Sequence, residues 1–412
     1  MLPQGFFFGA STSAHQVEGN THNDWSEWEQ KNAARLARIA PDLYKHLPQW
    51  ERIKGRTQDP ANYISSRGAD HYHRYEEDFD IAKTLGHNAH RFSIEWSRIE
   101  PEEGKFNEQE LEHYRQVIQA LHARNLEPFI CLWHWTLPTW LRDKGGVKCS
   151  NFPDYFERYA RFVVERLKGD VRYWLTINEP TSVIGHAYLL GRWPPQKKSF
   201  LAALKVYKVL ARAHRQAYGA IHEIQPAAQV GFANIMTYVE PYRNNFLDRL
   251  ACRLRDYWAN AYFLKLTGAA THDYLALQYY FHWRLAFPQT NKNENKEVND
   301  MGWEIYQEGL YHLLKKLAPY NKPIFITENG LADAQDMHRT KFIEDALFWI
   351  KKAGSEGVDV RGYFHWSLLD NFEWADGYWP RFGLVEVDYA TLERRVRPSA
   401  MAYKAMIEKE RR

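Results

Sequence analysis

The stretch that decides the fold reads Val171-Arg172-Tyr173-Trp174-Leu175-Thr176-Ile177-Asn178-Glu179-Pro180, an apolar run that ends in a glutamate. A second run, Ile324-Phe325-Ile326-Thr327-Glu328-Asn329-Gly330, ends in the same way further along the chain. Both runs are rich in β-branched or aromatic residues and predict buried strands. Each glutamate therefore stands where a buried strand gives way to a loop. Carboxylates are seldom left there without a partner or a chemical task.

Similar apolar runs recur along the chain and alternate with amphipathic stretches. The predicted strands cover residues 6–12, 88–94, 128–133, 171–177, 230–235, 275–280, 323–327 and 362–366. Predicted helices cover residues 107–124, 154–167, 200–224, 303–317 and 340–353, and Asn107 with Glu110 predicts a cap for the first of them. Alternating strands and helices favour parallel β/α units, and eight units predict a closed (β/α)8 barrel, or TIM barrel. We expect residues 1–412 to form this one catalytic domain.

The connections between the predicted strands differ greatly in length. Residues 13–87 separate the first two strands, and residues 370–397 follow the eighth. Barrel enzymes build their sites from the loops at the carboxyl ends of the strands. The long βα loops therefore predict walls around a pocket.

Composition argues against several kinds of partner. The chain has 412 residues, 25% of them charged, and a formal net charge of +3. This near balance, without a concentrated Lys/Arg stripe, predicts neither nucleic acid nor a membrane as partner. Cys131, Cys149 and Cys252 form no CxxC pair, and no apolar run approaches the roughly 20 residues that span a bilayer. Together with an N-terminus that lacks signal-peptide features, these observations predict a cytoplasmic protein and leave its oligomeric state open.

Aromatic residues are unusually abundant, with 16 Trp, 25 Tyr and 22 Phe. Most of them must belong to the core. Several tryptophans, however, stand beside polar residues, as in Trp133-His134-Trp135, His365-Trp366 and Glu373-Trp374. Sugars present apolar C–H faces and polar rims, so this combination favours a carbohydrate site.

Polar and aromatic side chains near the carboxyl ends of the predicted strands form one candidate set. Its members are Gln16, Glu18, Arg91, His134, Asn178, Glu179, Tyr280, Glu328, Trp366, Glu373 and Trp374. Taken singly, Arg91 has an ordinary explanation as an ion-pair member, Asn178 as a helix cap and Glu373 as a solvated loop residue. Because strand ends of a parallel barrel share one rim, their joint occurrence favours a site instead.

Two carboxylates on one rim suit glycoside hydrolysis, in which one protonates the leaving oxygen and the other attacks or stabilises the sugar carbon. One carboxyl must then have a raised pKa, while the other must stay ionised. Arg91 is a suitable partner for the ionised group, and Tyr280 can donate a hydrogen bond to it. Asn178, next to Glu179, is placed to hold a sugar hydroxyl beside the reacting carbon.

Six segments in a fixed order carry a family resemblance. They are Phe8-Gly9-Ala10-Ser11-Thr12-Ser13-Ala14-His15-Gln16-Val17-Glu18-Gly19, and the segments 91–99, 134–138, 176–180, 327–330 and 367–374. The chain resembles the family 1 glycoside hydrolases, typified by β-glucosidases, over nearly its whole length. The resemblance implies a (β/α)8 barrel, a retaining mechanism and no cofactor or metal. It also implies that Glu179 is the general acid/base and Glu328 the nucleophile.

The same resemblance assigns the remaining site residues. Arg91 and Tyr280 match residues that contact the nucleophile, and the substrate-binding residues are Gln16, His134, Trp135, Asn178, Trp366, Glu373 and Trp374. The implied substrate is a small β-glycoside or oligosaccharide, and we expect cleavage of terminal β-D-glucosides with secondary activity on β-galactosides and β-fucosides. The chain departs from the family in Gln278-Tyr279-Tyr280, where Asn-Tyr-Tyr is usual.

Three alternatives were weighed against this interpretation. A 6-phospho-β-glycosidase would favour serine in place of Glu373, and an inactive sugar-binding relative would lack one of the two glutamates. A metal-dependent hydrolase is suggested by His71 and His73, which lie in a helix-like acidic stretch rather than at a strand end. The order of preference among gluco, galacto and fuco sugars, and the natural aglycone, stay open.

Overall fold

The computed structural model describes residues 2–289 and 291–411. Eight parallel strands close into a barrel in sequence order. Strands β1 to β8 span Phe7–Ser11, Ala89–Ser93, Glu127–Trp133, Tyr173–Asn178, Gln229–Pro241, Leu275–Leu285, Ile324–Asn329 and Val360–Trp366. The first strand pairs with the last, with Phe7 opposite Gly362 and Ser11 opposite Trp366. The predicted (β/α)8 barrel is confirmed.

Helices connect the strands and surround the barrel. The α-helices are Ala14–Val17, Asp24–Tyr44, Trp50–Thr57, His71–Thr84, Trp96–Ile99, Glu108–Ala123, Thr139–Asp143, Phe152–Leu167, Pro180–Val183, Phe200–Ile224, Phe246–Asp256, Tyr262–Thr267, Glu308–Leu317, Arg339–Ser355 and Pro398–Glu410. Single turns of 3₁₀ or π type are Pro60–Tyr63, Gly146–Lys148, Ile184–Leu189, Tyr257–Ala261, Ala269–Thr271, Ala318–Tyr320 and Trp374–Asp376. A small antiparallel pair, Val385–Val387 with Arg394–Val396, follows the barrel.

The cap predicted at Asn107 is present in part. Its side chain accepts hydrogen bonds from the backbone amides of Gln109 (3.0 Å) and Glu110 (3.2 Å). The expected return contact from Glu110 is replaced, because the Asn107 amide donates to the Ile99 carbonyl. The Glu110 carboxylate accepts from the Tyr72 hydroxyl instead.

The helix predicted at 303–317 is wrong in its first turn, since the helix begins at Glu308. The Asn299 side chain accepts hydrogen bonds from the amides of Met301 and Trp303, which holds this segment in a turn. Trp303 packs on Phe281, with ring centroids 4.7 Å apart. Tertiary contacts of the tryptophan thus replace a helical turn that the local pattern favoured.

Aromatic side chains fill the barrel interior near the amino ends of the strands. Phe129 and Tyr173 stack with centroids 4.2 Å apart, and Phe325 meets Phe129 edge-on at 5.2 Å. Phe7, Tyr274 and Phe364 belong to the same cluster. This packed layer makes the amino end a stabilising core and leaves polar side chains to the carboxyl ends. No helix among the described residues is long and apolar enough to cross a bilayer.

Candidate active site

Glu328 lies near the end of β7 and is surrounded by groups that favour its ionised form. The buried Arg91 guanidinium, on β2, forms an ion pair with its carboxylate. The Tyr280 hydroxyl, on β6, donates to Glu328 Oε2 at 2.7 Å. Burial raises the pKa of the Glu328 carboxyl, while the Arg91 charge and the two hydrogen bonds act in the opposite direction. Both partners predicted for an ionised glutamate are in contact with it.

Glu179 directly follows β4 and has a different environment. Ser182 Oγ donates to Glu179 Oε2 at 2.7 Å. Burial, together with the negative charge of Glu328, raises the pKa of the Glu179 carboxyl to about 8. The opposing Ser182 hydrogen bond and the Arg91 charge are weaker influences. Glu179 is therefore held as a neutral acid near neutral pH.

Asn178, the last residue of β4, is locked in one orientation. Its Oδ1 accepts from Arg91 Nη2 at 2.5 Å and from Gln278 Nε2 at 2.9 Å. Its Nδ2 lies 3.1 Å from His134 Nε2. Since an amide oxygen accepts and an amide nitrogen donates, the two contacts at Oδ1 determine which way the side chain faces. Asn178 thus presents a donor to the space beside Glu179.

His134 follows β3 and is held neutral. Burial and the Arg91 charge lower the pKa of His134 well below its usual value. Because Nε2 accepts from Asn178, the ring hydrogen belongs on Nδ1. That buried nitrogen has no hydrogen-bond partner within residues 2–289 and 291–411. An unsatisfied buried donor on a ring that also contacts Asn178 suits a ligand hydroxyl.

Glu373 and Gln16 meet on the side of the barrel where β8 returns to β1. Gln16 Nε2 donates to the Phe372 carbonyl at 2.8 Å and lies 3.5 Å from Glu373 Oε2. Burial and the negative charges of Asp376, Glu328 and Glu179 raise the pKa of the Glu373 carboxyl well above its usual value. Hydroxyl groups of a ligand would act in the opposite direction, because hydrogen bonds donated to a carboxylate favour its ionised form.

Tryptophans form a wall beside these polar groups. Trp135 packs on Trp374 and on Trp193, with centroids 4.6 and 4.7 Å apart. Trp366 is 5% exposed at the end of β8 and lies roughly parallel to the His134 ring at 6.3 Å. The predicted aromatic residues are therefore brought together, and Trp193 joins them.

Three residues of this site adopt left-handed backbone conformations. The φ angles are 78° at Trp135, 39° at Glu179 and 50° at Trp374. Such values are uncommon for residues other than glycine and are costly for bulky side chains. Strained backbone of this kind concentrates at functional sites, where surrounding structure holds it in place.

Two predictions about surrounding residues are corrected or extended by the structure. Glu18, expected on the rim, accepts from Arg98 Nε at 2.9 Å and from the Tyr114 hydroxyl at 2.8 Å, so its carboxylate is used elsewhere. Gln278, where the family usually has asparagine, makes the contact to Asn178. Only its place in the altered Gln-Tyr-Tyr string could have drawn attention to it.

Some residues that the sequence did not predict contact the site residues. His15 Nε2 lies 2.7 Å from Glu29 Oε1, and the His15 ring stacks on Trp374 at 5.4 Å. Although burial opposes the charged form, Glu29 raises the pKa of His15. His15 stands in the family-like segment 8–19, which was the available signal. Ser182 and Trp193 lie in the loop after β4 and had no comparable signal.

The histidines that suggested a metal site have other partners. His71 Nδ1 lies 2.8 Å from Asp78, and His73 Nδ1 lies 2.7 Å from Asp70. In the part of the chain that the structure describes, no three His, Cys, Asp or Glu side chains are grouped to hold a metal ion. Both histidines are hydrogen-bonded to carboxylates of the helix His71–Thr84 or its N-cap.

Comparison with known proteins places this geometry in a family. The model of glycosyl hydrolase family 1 matches residues 1–276 and 284–412. Beta-glucosidase A of Acetivibrio thermocellus is 34% identical, with 98% of each chain covered. A β-glycosidase from Pyrococcus horikoshii superposes with a TM-score of 0.86 at 34% identity, covering 98% of this chain and 94% of that one. A β-glucosidase from Thermotoga maritima in complex with glucoimidazole gives 0.86 at 30% identity, covering 99% and 98%. The chain is an enzyme of glycosyl hydrolase family 1.

Proposed function

We propose that this enzyme is a retaining β-glycosidase that hydrolyses terminal non-reducing β-D-glucosides, with β-galactosides and β-fucosides as secondary substrates. The observation that carries the proposal is the unequal setting of its two glutamates. Glu328 contacts a buried cation and a phenol, whereas burial raises the pKa of the Glu179 carboxyl to about 8. One carboxyl suited to attack and one suited to give a proton are the requirements of double displacement.

In the first step, a Glu328 oxygen attacks the anomeric carbon while Glu179 donates its proton to the departing glycosidic oxygen. The C–O bond to the aglycone breaks and a covalent glycosyl-enzyme forms. In the second step, Glu179, now ionised, takes a proton from water. The resulting hydroxide oxygen displaces Glu328 and returns the sugar with its original β configuration.

The substrate-binding roles are part of the same proposal. Asn178 would donate to the hydroxyl beside the reacting carbon, and the Nδ1 hydrogen of His134 would meet the next hydroxyl around the ring. Glu373 and Gln16 would bind the far end of the hexose, since one carboxylate can accept two hydroxyl hydrogen bonds. Trp135, Trp366 and Trp374 would cover the C–H faces of the sugar. The glucoimidazole complex of the Thermotoga maritima relative is consistent with a glucose-like occupant.

The 6-phospho-β-glycosidase alternative is disfavoured by charge. Glu373 lies among the negative charges of Asp376, Glu328 and Glu179, a setting that disfavours a bound phosphate. Arg381, the nearest cation in the sequence, is engaged with Asp370 Oδ2 at 3.1 Å and with the Val387 carbonyl at 3.0 Å. These contacts engage the Arg381 guanidinium, so it is not available to bind a phosphate.

A panel of nitrophenyl β-glycosides tests the proposal. We expect the glucoside to give the highest kcat/KM, the galactoside and fucoside appreciable values, and the 6-phosphoglucoside the lowest. Proton NMR during early turnover should show the β anomer of glucose before mutarotation. A first-formed α anomer, or a preference for the phosphorylated substrate, would contradict it.

The free cysteines bear on the compartment in which the enzyme works. Cys131 and Cys252 are buried free thiols and Cys149 is a half-buried one. Unpaired cysteines are typical of reducing compartments, so we propose a cytoplasmic enzyme. We also propose that residues 1–412 act as one catalytic domain.

A further inference from the structure

Exposed apolar side chains are concentrated in one part of this chain. Leu201 is 78% exposed, Phe246 70% and Leu254 55%. Most other exposed large hydrophobic side chains lie in the same two segments, 189–201 and 242–258. The set, which we call the apolar face, consists of Leu189, Leu190, Phe200, Leu201, Tyr242, Phe246, Leu247, Leu250, Leu254, Tyr257 and Trp258. Soluble monomers rarely expose so many large apolar side chains together without a binding role.

The apolar face is continuous in space although it comes from two segments. The Phe200 and Trp258 rings lie 6.3 Å apart and join the helix Phe200–Ile224 to the turn Tyr257–Ala261. The Ser199 amide donates to the Tyr188 carbonyl at 2.8 Å, which brings Leu189 and Leu190 beside the start of that helix. The helix Phe246–Asp256 leads directly into the turn and completes the surface.

Exposed basic residues accompany the apolar face in both segments, and we call them the basic rim. Residues 180–222 contain no Asp or Glu, and their basic residues are Arg192, Lys197, Lys198, Lys205, Lys208, Arg212 and Arg215. The second segment adds the exposed Arg249 and Arg253. Its two acids are neutralised within the protein, Asp248 by Arg243 and Asp256 by Lys316. The partner must therefore combine apolar surface with negative charge.

We propose that the apolar face docks on a membrane surface that contains anionic lipid. Leucine, phenylalanine and tryptophan flanked by arginine and lysine are the composition of helices that lie in the lipid–water interface. Anionic headgroups attract such basic rims at short range. A second copy of this chain fits less well, because a two-fold contact would set one basic rim against the other. Nucleic acid is a poorer partner, because its phosphate backbone needs basic or hydrogen-bond donor groups and the apolar face presents leucines there.

This proposal reverses the expectation from sequence that no membrane takes part. The net charge of +3 hides the local excess of basic residues, because acidic regions elsewhere offset it. The two segments are also separated along the chain, so the sequence shows no single basic stripe. The proposal is independent of the glycosidase assignment. It nevertheless places the site near the membrane, since residues 180–199 run from Glu179 through Trp193 to the apolar face.

Vesicle sedimentation of the full chain tests the proposal. The probes are vesicles of phosphatidylcholine alone and of equal parts phosphatidylcholine and phosphatidylglycerol. We expect strong binding only to the mixed vesicles, weakening as salt is added because screening shortens the attraction. Absence of binding to the mixed vesicles, or equal binding to both kinds, overturns the proposal.

Three double variants separate the contributions. Leu247→Ser with Leu254→Ser removes apolar area without changing charge, and Lys197→Gln with Lys198→Gln removes charge without changing the leucines. The lysine pair should weaken binding at least about tenfold, since one basic residue near an anionic surface contributes roughly fivefold. The leucine pair should weaken it at least as much, since burying one leucine side chain contributes roughly tenfold or more. Met337→Ser with Phe348→Ser, exposed residues outside the apolar face (74% and 56%), is the matched control and should bind as wild type does.

Thermal unfolding monitors the fold of all three variants without relying on activity. If the leucine variant stays folded and still binds like wild type, the apolar face is not the contact. A wild-type dimer that the leucine variant dissociates, without vesicle binding, would assign the surface to a second copy instead.

Discussion

Strands β4 and β7 each bring a glutamate to the same rim of the barrel, but the two glutamates have different surroundings. At β7, Glu328 is in direct contact with the Arg91 guanidinium and the Tyr280 hydroxyl. At β4, Glu179 has the Ser182 hydroxyl at 2.7 Å, and Arg91 acts on it only through space. Burial raises the pKa of both carboxyls, and only at Glu328 does a contacting cation oppose it.

The difference shows that role follows environment rather than residue type. A buried carboxyl with a contacting guanidinium can carry negative charge, and one without it retains its proton. If the partners of the two glutamates were exchanged, we would expect their roles to exchange as well.

Replacing Glu328 with glycine should abolish the covalent pathway. We expect kcat on an aryl glucoside to fall by several orders of magnitude, because removal of the nucleophile removes the route itself. Added azide should restore turnover of a dinitrophenyl glucoside and give an α-glucosyl azide. Near-normal activity in Glu328→Gln, which preserves shape, would refute the nucleophile role.

Replacing Glu179 with alanine should separate substrates by leaving group. Alkyl glucosides need a proton on the departing oxygen and should lose far more rate than dinitrophenyl glucosides, which do not. In wild type, kcat/KM should fall as pH rises through about 8, because the required acid loses its proton there. The alanine variant should lack this alkaline limb.

Ser182→Ala is the matched control for that limb. The Ser182 hydrogen bond lowers the pKa of Glu179, so its loss should move the limb to higher pH with little change in rate. An equal loss on both substrate classes in Glu179→Ala would make Glu179 a binding residue rather than the acid.

Glu373→Gln tests the proposed glycone end of the pocket and leaves Glu179 and Glu328 in place. Loss of a charge-assisted hydrogen bond should reduce kcat/KM for glucosides by about 1.5–3 kcal/mol, or roughly 10- to 150-fold. Because remote contacts help to stabilise the transition state, kcat should fall along with affinity. The control is Glu393→Gln, an exposed glutamate of the same final loop, which should behave as wild type. Unchanged glucoside kinetics in Glu373→Gln would remove Glu373 from the pocket.

Gln278→Leu should have the smallest effect, acting through Asn178 on the β4 side. Removing one neutral hydrogen bond should cost about 0.5–1.5 kcal/mol in kcat/KM, or roughly two- to twelvefold. On a 2-deoxyglucoside the same substitution should cost less, since the hydroxyl that Asn178 would hold is already missing. Equal losses on both substrates would mean that Gln278 supports the barrel and not the orientation of Asn178.

Local pattern predicted the elements well and their ends less well. Strands β5 and β6 continue to Pro241 and Leu285 because they pair with each other beyond the barrel, with Glu240 opposite Arg284. Arg284 Nε donates to Glu240 Oε1 at 2.6 Å across that pair. A strand end of this kind depends on its neighbour, which the period of side chains along one strand does not report. Glu18 is a similar case. Its carboxylate was expected to face the site, but it accepts hydrogen bonds from Arg98 and Tyr114 instead.

The sequence by itself determined the barrel, the order of its strands and the placing of Glu179 and Glu328 at two strand ends. These features depend on periodicity among residues close along the chain. Only the tertiary structure decided that Gln278 meets Asn178, 100 positions away, and that Arg91, expected beside Glu328, bonds to Asn178 as well. Charge, desolvation and hydrogen bonding act between neighbours in space. The ionisation of each glutamate, and the joining of two segments into one apolar face, therefore depend on the folded chain.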